Sequence, residues 1–203
     1  MNASQTRSLS TIVLAGGQSS RMGRDKALIA VRGVPLLQQI CDVALQCASQ
    51  VYVVTPWPQR YQEILPSRCI LVQEQPLPGE TVKESPHGPL VGFSQGLAQV
   101  QTEWALLLAC DLPQLRVDIL QNWSSELENA PKDAIALLAR HPKGWEPLCG
   151  FYRRSCLAVL TEYIDGGGRS FQGWLAQNSV EELPLSDRAL LFNCNTPDDL
   201  KKI

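Results

Sequence analysis

Short apolar runs alternate along this chain with stretches in which apolar residues recur every three to four positions. The runs at 11–15, 51–55, 69–73, 104–110 and 134–139 predict strands. Between the first two, Leu36, Leu37, Ile40, Cys41, Ala44, Leu45 and Ala48 fall on one helical face, and Pro35 suits the first helical position. Gly88-Pro89 opens a second helix through about Val100, while 115–127, 157–163 and 171–175 predict others. Strands that alternate with helices in this way predict an α/β fold with a mainly parallel sheet. The stretch 74–87 carries Pro76, Pro78, Gly79 and Pro86 among charged residues and reads as a long loop. Near the end, Thr196-Pro197-Asp198-Asp199 has the order of an N-cap, a first-turn proline and acidic first-turn residues, so a short helix should follow.

Composition narrows what such a fold can do. With 203 residues, 44% of them hydrophobic, the chain can bury one substantial core; the expectation is a flexible tail over 1–10 and a single domain over 11–203. Lys and Arg number 18 against 20 Asp and Glu, a net charge of -2, so no global field gathers nucleic acid or an anionic membrane. Any anion must be handled locally. The seven cysteines are odd in number and lack C-x-x-C pairs, which reads as reduced thiols rather than a zinc site. The first ten residues have neither the charge pattern nor the apolar run of a signal peptide or anchor, and the expected location is the cytoplasm.

The strongest local signal starts where the first strand ends: Leu14-Ala15-Gly16-Gly17-Gln18-Ser19-Ser20-Arg21-Met22-Gly23-Arg24-Asp25-Lys26. Ligands of parallel sheets sit at that edge. Glycines let backbone N–H groups turn toward a phosphate, the serines add hydroxyl donors, and Arg21 and Lys26 supply charge against a leaving pyrophosphate. A lysine in that role is expected to face solvent. The spacing fits neither a Walker A loop nor G-x-G-x-x-G. The bland alternative is a glycine-rich turn with solvated charges.

Asp111 follows the apolar run 104–110 and so faces the same edge as the glycine loop. Mg²⁺ needs oxygen ligands and commonly takes one or two carboxylates plus substrate phosphates, so Asp111 can carry it; the competing reading is a cap for the helix after Pro113. Cys110 reads as a small core side chain. Asn193 and Asn195 bracket Cys194 and would point the same way from an extended segment, or serve as turn residues before the last helix. Gly166-Gly167-Gly168-Arg169-Ser170 is a flexible, anion-friendly segment or a plain loop before 171–175. His87 and His141 are too separated to ligate a metal together. Gly92-Phe93-Ser94-Gln95-Gly96 matches the hydrolase pattern G-x-S-x-G, but it lies inside a predicted helix rather than after a buried strand.

Taken together, these residues resemble the nucleotidyltransferase family that includes molybdenum cofactor guanylyltransferase. The resemblance spans residues 11 to about 200 and rests on Leu14-Ala15-Gly16-Gly17 with Arg21-Met22-Gly23 and Asp25-Lys26, then Gly88-Pro89-Leu90 with Gly92, Cys110-Asp111-Leu112-Pro113, and Asn193-Cys194-Asn195-Thr196-Pro197. It implies an enzyme with a Rossmann-like three-layer sandwich that moves GMP from GTP to the terminal phosphate of molybdopterin carrying molybdenum. By that likeness Leu14, Ala15, Gly16, Gly17, Gly88, Pro89 and Leu90 border the nucleotide, Lys26 and Arg21 its phosphates, and Asp111 the Mg²⁺. Asn193 and Asn195 lie toward the acceptor, with Arg169 and Ser170 as further acceptor candidates. Implied partners are GTP, molybdenum-loaded molybdopterin, and other cofactor-biosynthesis or molybdoenzyme-maturation proteins. Two segments depart from the family pattern: Thr55-Pro56-Trp57-Pro58 stands where an Asn is common, and Glu74-Gln75 where an Asp is common. The base-reading residues are therefore open, as is the choice of GTP over CTP. A phosphorylated sugar as acceptor, and a non-catalytic carrier on the same fold, are the competing readings.

Overall fold

The computed structural model describes residues 9–17, 25–77, 88–185, 188–194 and 197–200. Arg21, Asn195, His87 and most of the loop 74–87 thus lie outside the described residues. Strand β1 (Ser10–Leu14) leads through the two-residue strands β2 (Ala30–Val31) and β3 (Val34–Pro35) to helix α1 (Leu36–Cys47), then β4 (Gln50–Thr55) and β5 (Cys69–Gln73). Helix α2 (Pro89–Gln99), β6 (Trp104–Ala109) and α3 (Val117–Ser125) follow. Next come β7 (Ala136–His141), β8 (Gly144–Arg153), α4 (Leu157–Asp165), α5 (Phe171–Leu175), β9 (Val180–Glu182) and α6 (Pro197–Leu200).

Seven strands form one sheet in the order β5-β4-β1-β6-β8-β7-β9, with β8 alone antiparallel to its neighbours among the described residues. The alternation of side chains across each strand divides the core in two. Val13, Val53, Leu106 and Leu108 pack under α1 and α3, whereas Ile12, Val54, Ala105 and Leu107 pack under α2, α4 and α5. This is the three-layer α/β sandwich expected from the sequence. Helix α1 buries Leu36, Leu37, Ile40, Cys41 and Ala44 as its periodicity predicts, although Pro35 stands at its N-cap rather than inside it.

The order matters for function. The chain runs outward from β1 to β4 and β5, then crosses back over α2 to β6 on the other side of β1. The order therefore reverses between β1 and β6, and the carboxyl ends there open a crevice that neither crossover covers. Helix α2 can cross so closely because Gly96 lacks a side chain: a Cβ there would stand 2.7 Å from Ile12 Cγ2 and 2.8 Å from Val54 Cγ2. The G-x-S-x-G match is thus a helical packing motif. Ser94 is no nucleophile elbow.

Candidate active site

A cavity of about 240 Å³ fills that crevice, bounded by residues 14–17 after β1, Asp25 to Ala27, Gly88, Pro89 and Gly92 of the α2 entry, Ala109 to Asp111 after β6, and Glu74 after β5. The sequence-derived residues Leu14, Ala15, Gly16, Gly17, Lys26, Gly88, Pro89 and Asp111 all line it. Leu90 does not: it is fully buried in the core beneath α2. Gly88 adopts φ 82, a left-handed conformation that suits glycine, and it turns the chain into α2 with Pro89 at the first position.

Asp25 anchors the far end of the glycine loop. Its Oδ1 accepts from the Ala27 N–H at 3.1 Å, and its Oδ2 accepts from the Tyr61 hydroxyl at 2.7 Å, with the Arg60 guanidinium 3.6 Å away. Burial and the bond to Asp25 push the Tyr61 phenol well up, so it stays a donor. The 3-10 turn Lys26–Leu28 that Asp25 caps directs Lys26 Nζ to within 3.3 Å of Asp111 Oδ2. Both side chains are 18% exposed, so Lys26 is not the solvent-facing residue expected from its place in a loop. The turn folds it back across the crevice, where the carboxylate compensates the charge.

Asp111 is not a helix cap, because α3 begins at Val117 with Arg116 at its N-cap. Its carboxylate stands instead on the cavity wall, while its carbonyl accepts from the Cys194 N–H at 3.0 Å. That bond docks the segment carrying Asn193 against the metal candidate; Asn193 Nδ2 itself donates to Leu191 O at 3.3 Å. Among the described residues no cluster of three His, Cys, Asp or Glu side chains could hold a metal unaided. One hard oxygen ligand on the wall of this cavity nonetheless fits Mg²⁺, which commonly completes its shell from substrate phosphates and water. Cys110 lines the cavity too, but burial pushes its thiol up to about 12, and it stays protonated.

Two acceptor candidates lie elsewhere. The Arg169 guanidinium donates to the carbonyls of Ile164 and Gly168 at 2.7 and 2.8 Å, closing the end of α4, and Ser170 caps α5 by accepting from the Gly173 N–H. Neither lines the cavity, so that stretch serves here as the loop before α5. His141 ends β7 and pairs with Glu146 at 2.5 Å.

Glu74 is a cavity-lining residue that the sequence left without a role. Its Oε2 packs against the backbone of Gly16 and Gly92, where a Cβ would come within 3.3 and 3.2 Å. Its Oε1 is buried with no hydrogen-bond partner among the described residues, and burial raises the pKa of the carboxyl. An unpaired buried acceptor costs about 1–3 kcal/mol unless a ligand satisfies it. Its position one residue beyond a strand at the ligand-binding edge was the available signal.

A glycine-lined crevice at the switch point, with a cation and a carboxylate facing across it, has the features of a nucleotidyltransferase site. Comparison with known proteins gives the same class. Residues 11–180 match the family model described as the MobA-like NTP transferase domain. A protein of Trichormus variabilis described as "Probable molybdenum cofactor guanylyltransferase" is 58% identical over 195 residues, which is 96% of this chain and 90% of that protein. A protein of Synechococcus elongatus with the same description is 45% identical over 93% of this chain and 94% of its own length. The crystal structure of molybdopterin-guanine dinucleotide biosynthesis protein A from Archaeoglobus fulgidus shares the fold, with a TM-score of 0.75, 24% identity and 95% of each chain covered. The chain belongs to the MobA-like NTP transferase family, and it is an enzyme of the nucleotidyltransferase class.

Proposed function

We propose that this enzyme transfers GMP from GTP to the terminal phosphate of molybdenum-loaded molybdopterin, giving molybdopterin guanine dinucleotide and pyrophosphate. The acceptor follows from the names of relatives alike over nearly the whole chain. For the donor, the observation that carries the reading is the carboxylate of Glu74 in the cavity lining, one oxygen of which has no hydrogen-bond partner among the described residues. A carboxylate offers only acceptors, and guanine alone presents adjacent N1–H and N2–H donors to pair with both oxygens. Cytosine and adenine each place a ring nitrogen lone pair beside their amino group, which a carboxylate repels. This supports GTP over CTP.

The acceptor phosphate attacks the α-phosphorus in line; the new P–O bond forms as the α–β bridging bond breaks, and pyrophosphate leaves with the electron pair. A phosphate nucleophile is ionised near neutral pH, so no general base is required. Lys26, with Arg21 as a second cation, offsets the charge that collects on the leaving group. Gly16 and Gly17 would offer backbone donors, Asn193, on the segment docked to Asp111, would serve the acceptor side together with Asn195, and Asp111 would hold Mg²⁺. When bound, the metal supplies charge neutralisation on the phosphates. Among the described residues no helix is long and apolar enough to cross a membrane. The test is to offer the purified protein GTP or CTP with molybdate-loaded molybdopterin and identify the product by mass. Equal or better turnover with CTP overturns the donor assignment, and absence of pyrophosphate release with either overturns the enzymatic one.

A further inference from the structure

A glutamate has three rotatable side-chain torsions, so what fixes the Glu74 carboxylate must be the backbone beneath it and the walls around it. The walls are Gly16 and Gly92. The backbone is fixed from two sides: the Glu74 N–H donates to Thr55 O at 2.9 Å, and the next peptide is gripped by helix α2. Gln95 Oε1 accepts from the Gln75 N–H at 2.8 Å, and Gln95 Nε2 donates to Gln75 O at 2.9 Å. A primary carboxamide thereby takes the place of a neighbouring strand, with its donor and acceptor spaced like those of a peptide. Gln95 stands one helical turn beyond Gly92, so the residue that gives the carboxylate room and the residue that holds its chain share one face of α2. Gln95 itself does not line the cavity.

We propose that Gln95 is a positioning residue for base selectivity: by clamping the Gln75 peptide it holds Glu74 where its carboxylate meets the guanine edge. This rests on the reading of Glu74 as the guanine-recognising group. Glutamine alone supplies both halves of the clamp at this reach, since glutamate lacks the donor and asparagine is a methylene shorter.

The experiment measures equilibrium binding of Mg-GTP and Mg-inosine triphosphate by calorimetry, so that the acceptor does not enter. Inosine triphosphate lacks the N2 amino group and reports one carboxylate contact. Because the Glu74 carboxylate must then be ordered as the nucleotide binds, Gln95→Ala is expected to weaken GTP binding about tenfold. The preference for GTP over inosine triphosphate should fall about fivefold, because a mobile carboxylate loses the two-point contact. In a Glu74→Gln background the same change should add no further loss of preference. Gln95→Glu, nearly isosteric, gives the same readout should the alanine variant not fold. A Gln95 variant that loses stability but keeps the preference, or one whose effect adds fully to Glu74→Gln, overturns the positioning role. If Glu74→Gln itself keeps the preference, the base-reading role of Glu74 fails and the Gln95 proposal with it. Loss in Glu74→Gln without loss in Gln95→Ala removes the Gln95 proposal alone.

Discussion

Replacing Lys26 with alanine separates the structural and chemical uses of one charge. Nζ lies 3.3 Å from Asp111 Oδ2, with both side chains 18% exposed. The pair falls between exposed pairs, which contribute about 0–1 kcal/mol, and enclosed ones, whose rupture costs about 3–5 kcal/mol. Because the crevice admits water to the carboxylate left behind, a loss of about 1–2 kcal/mol is the expected outcome. For a domain of this size that lowers Tm by about 2–8 °C. The chemical cost is larger. A cation matched to charge developing on pyrophosphate is worth about 3 kcal/mol in the barrier, or roughly a hundredfold in rate. Thermal unfolding without ligand measures the first effect. Pyrophosphate release at saturating GTP and acceptor, well below the lowered Tm, measures the second. A Lys26→Ala protein with the predicted loss of stability and a normal kcat would refute the phosphate role and leave only a structural ion pair.

Asp111→Asn keeps an oxygen for Lys26 and the backbone bond to Cys194 but loses the charge that holds a divalent cation; activity should fall about a hundredfold or more while the fold survives. Rate measured against Mg²⁺ concentration decides it, and an unchanged metal dependence in the folded variant ends the assignment. Glu74→Gln is expected to weaken GTP binding while stabilising the ligand-free protein by about 1 kcal/mol near pH 8. Burial raises the Glu74 pKa, so its penalty is absent below the unfolded value of about 4.3 and grows as pH rises through the folded one. Urea unfolding at pH 8 and pH 4 tests the sign: equal midpoint shifts at both would contradict it.

The strands β1, β4, β5, β6 and β7 and the crossover helices were legible in the sequence because each is a mostly apolar run or a clear helical period. The rest failed for specific reasons. β8 carries Glu146, Pro147 and Gly150, which argue against a strand by composition. It survives because the pairing with β7 shifts register beyond Leu138, and because Gly150 leaves room for Leu138, whose Cδ2 would stand 2.5 Å from a Cβ there. The β2–β3 hairpin turns through Arg32 and Gly33 at φ 52 and 84, a turn for which Asn-Gly, not Arg-Gly, is the recognisable pair. β9, only three residues long, has too little pattern to detect. Lys26 and Asp111 could each be picked out, but their contact spans 85 positions and depends on the Asp25–Tyr61 anchor, which no local pattern announces.

The glycines show most clearly what a motif conceals. In sequence, Gly16 and Gly17 are one signal, a flexible turn that brings backbone donors to a phosphate. In three dimensions they have different neighbours. A Cβ at Gly17 would meet open space, so its value lies in the backbone it exposes to the cavity. A Cβ at Gly16 would stand 3.0 Å from Pro56 Cδ and 3.3 Å from Glu74 Oε2, so Gly16 is also a packing residue around the Glu74 carboxylate. Pro56 and Glu74 lie in the two segments that depart from the family pattern. The departures and the glycine that adjoins them therefore form one local arrangement, in which a longer acidic side chain after β5 lies against backbone from both the first loop and α2. Reading either departure alone as a lost function misses this. The carboxylate is retained, and the surrounding backbone gives it room.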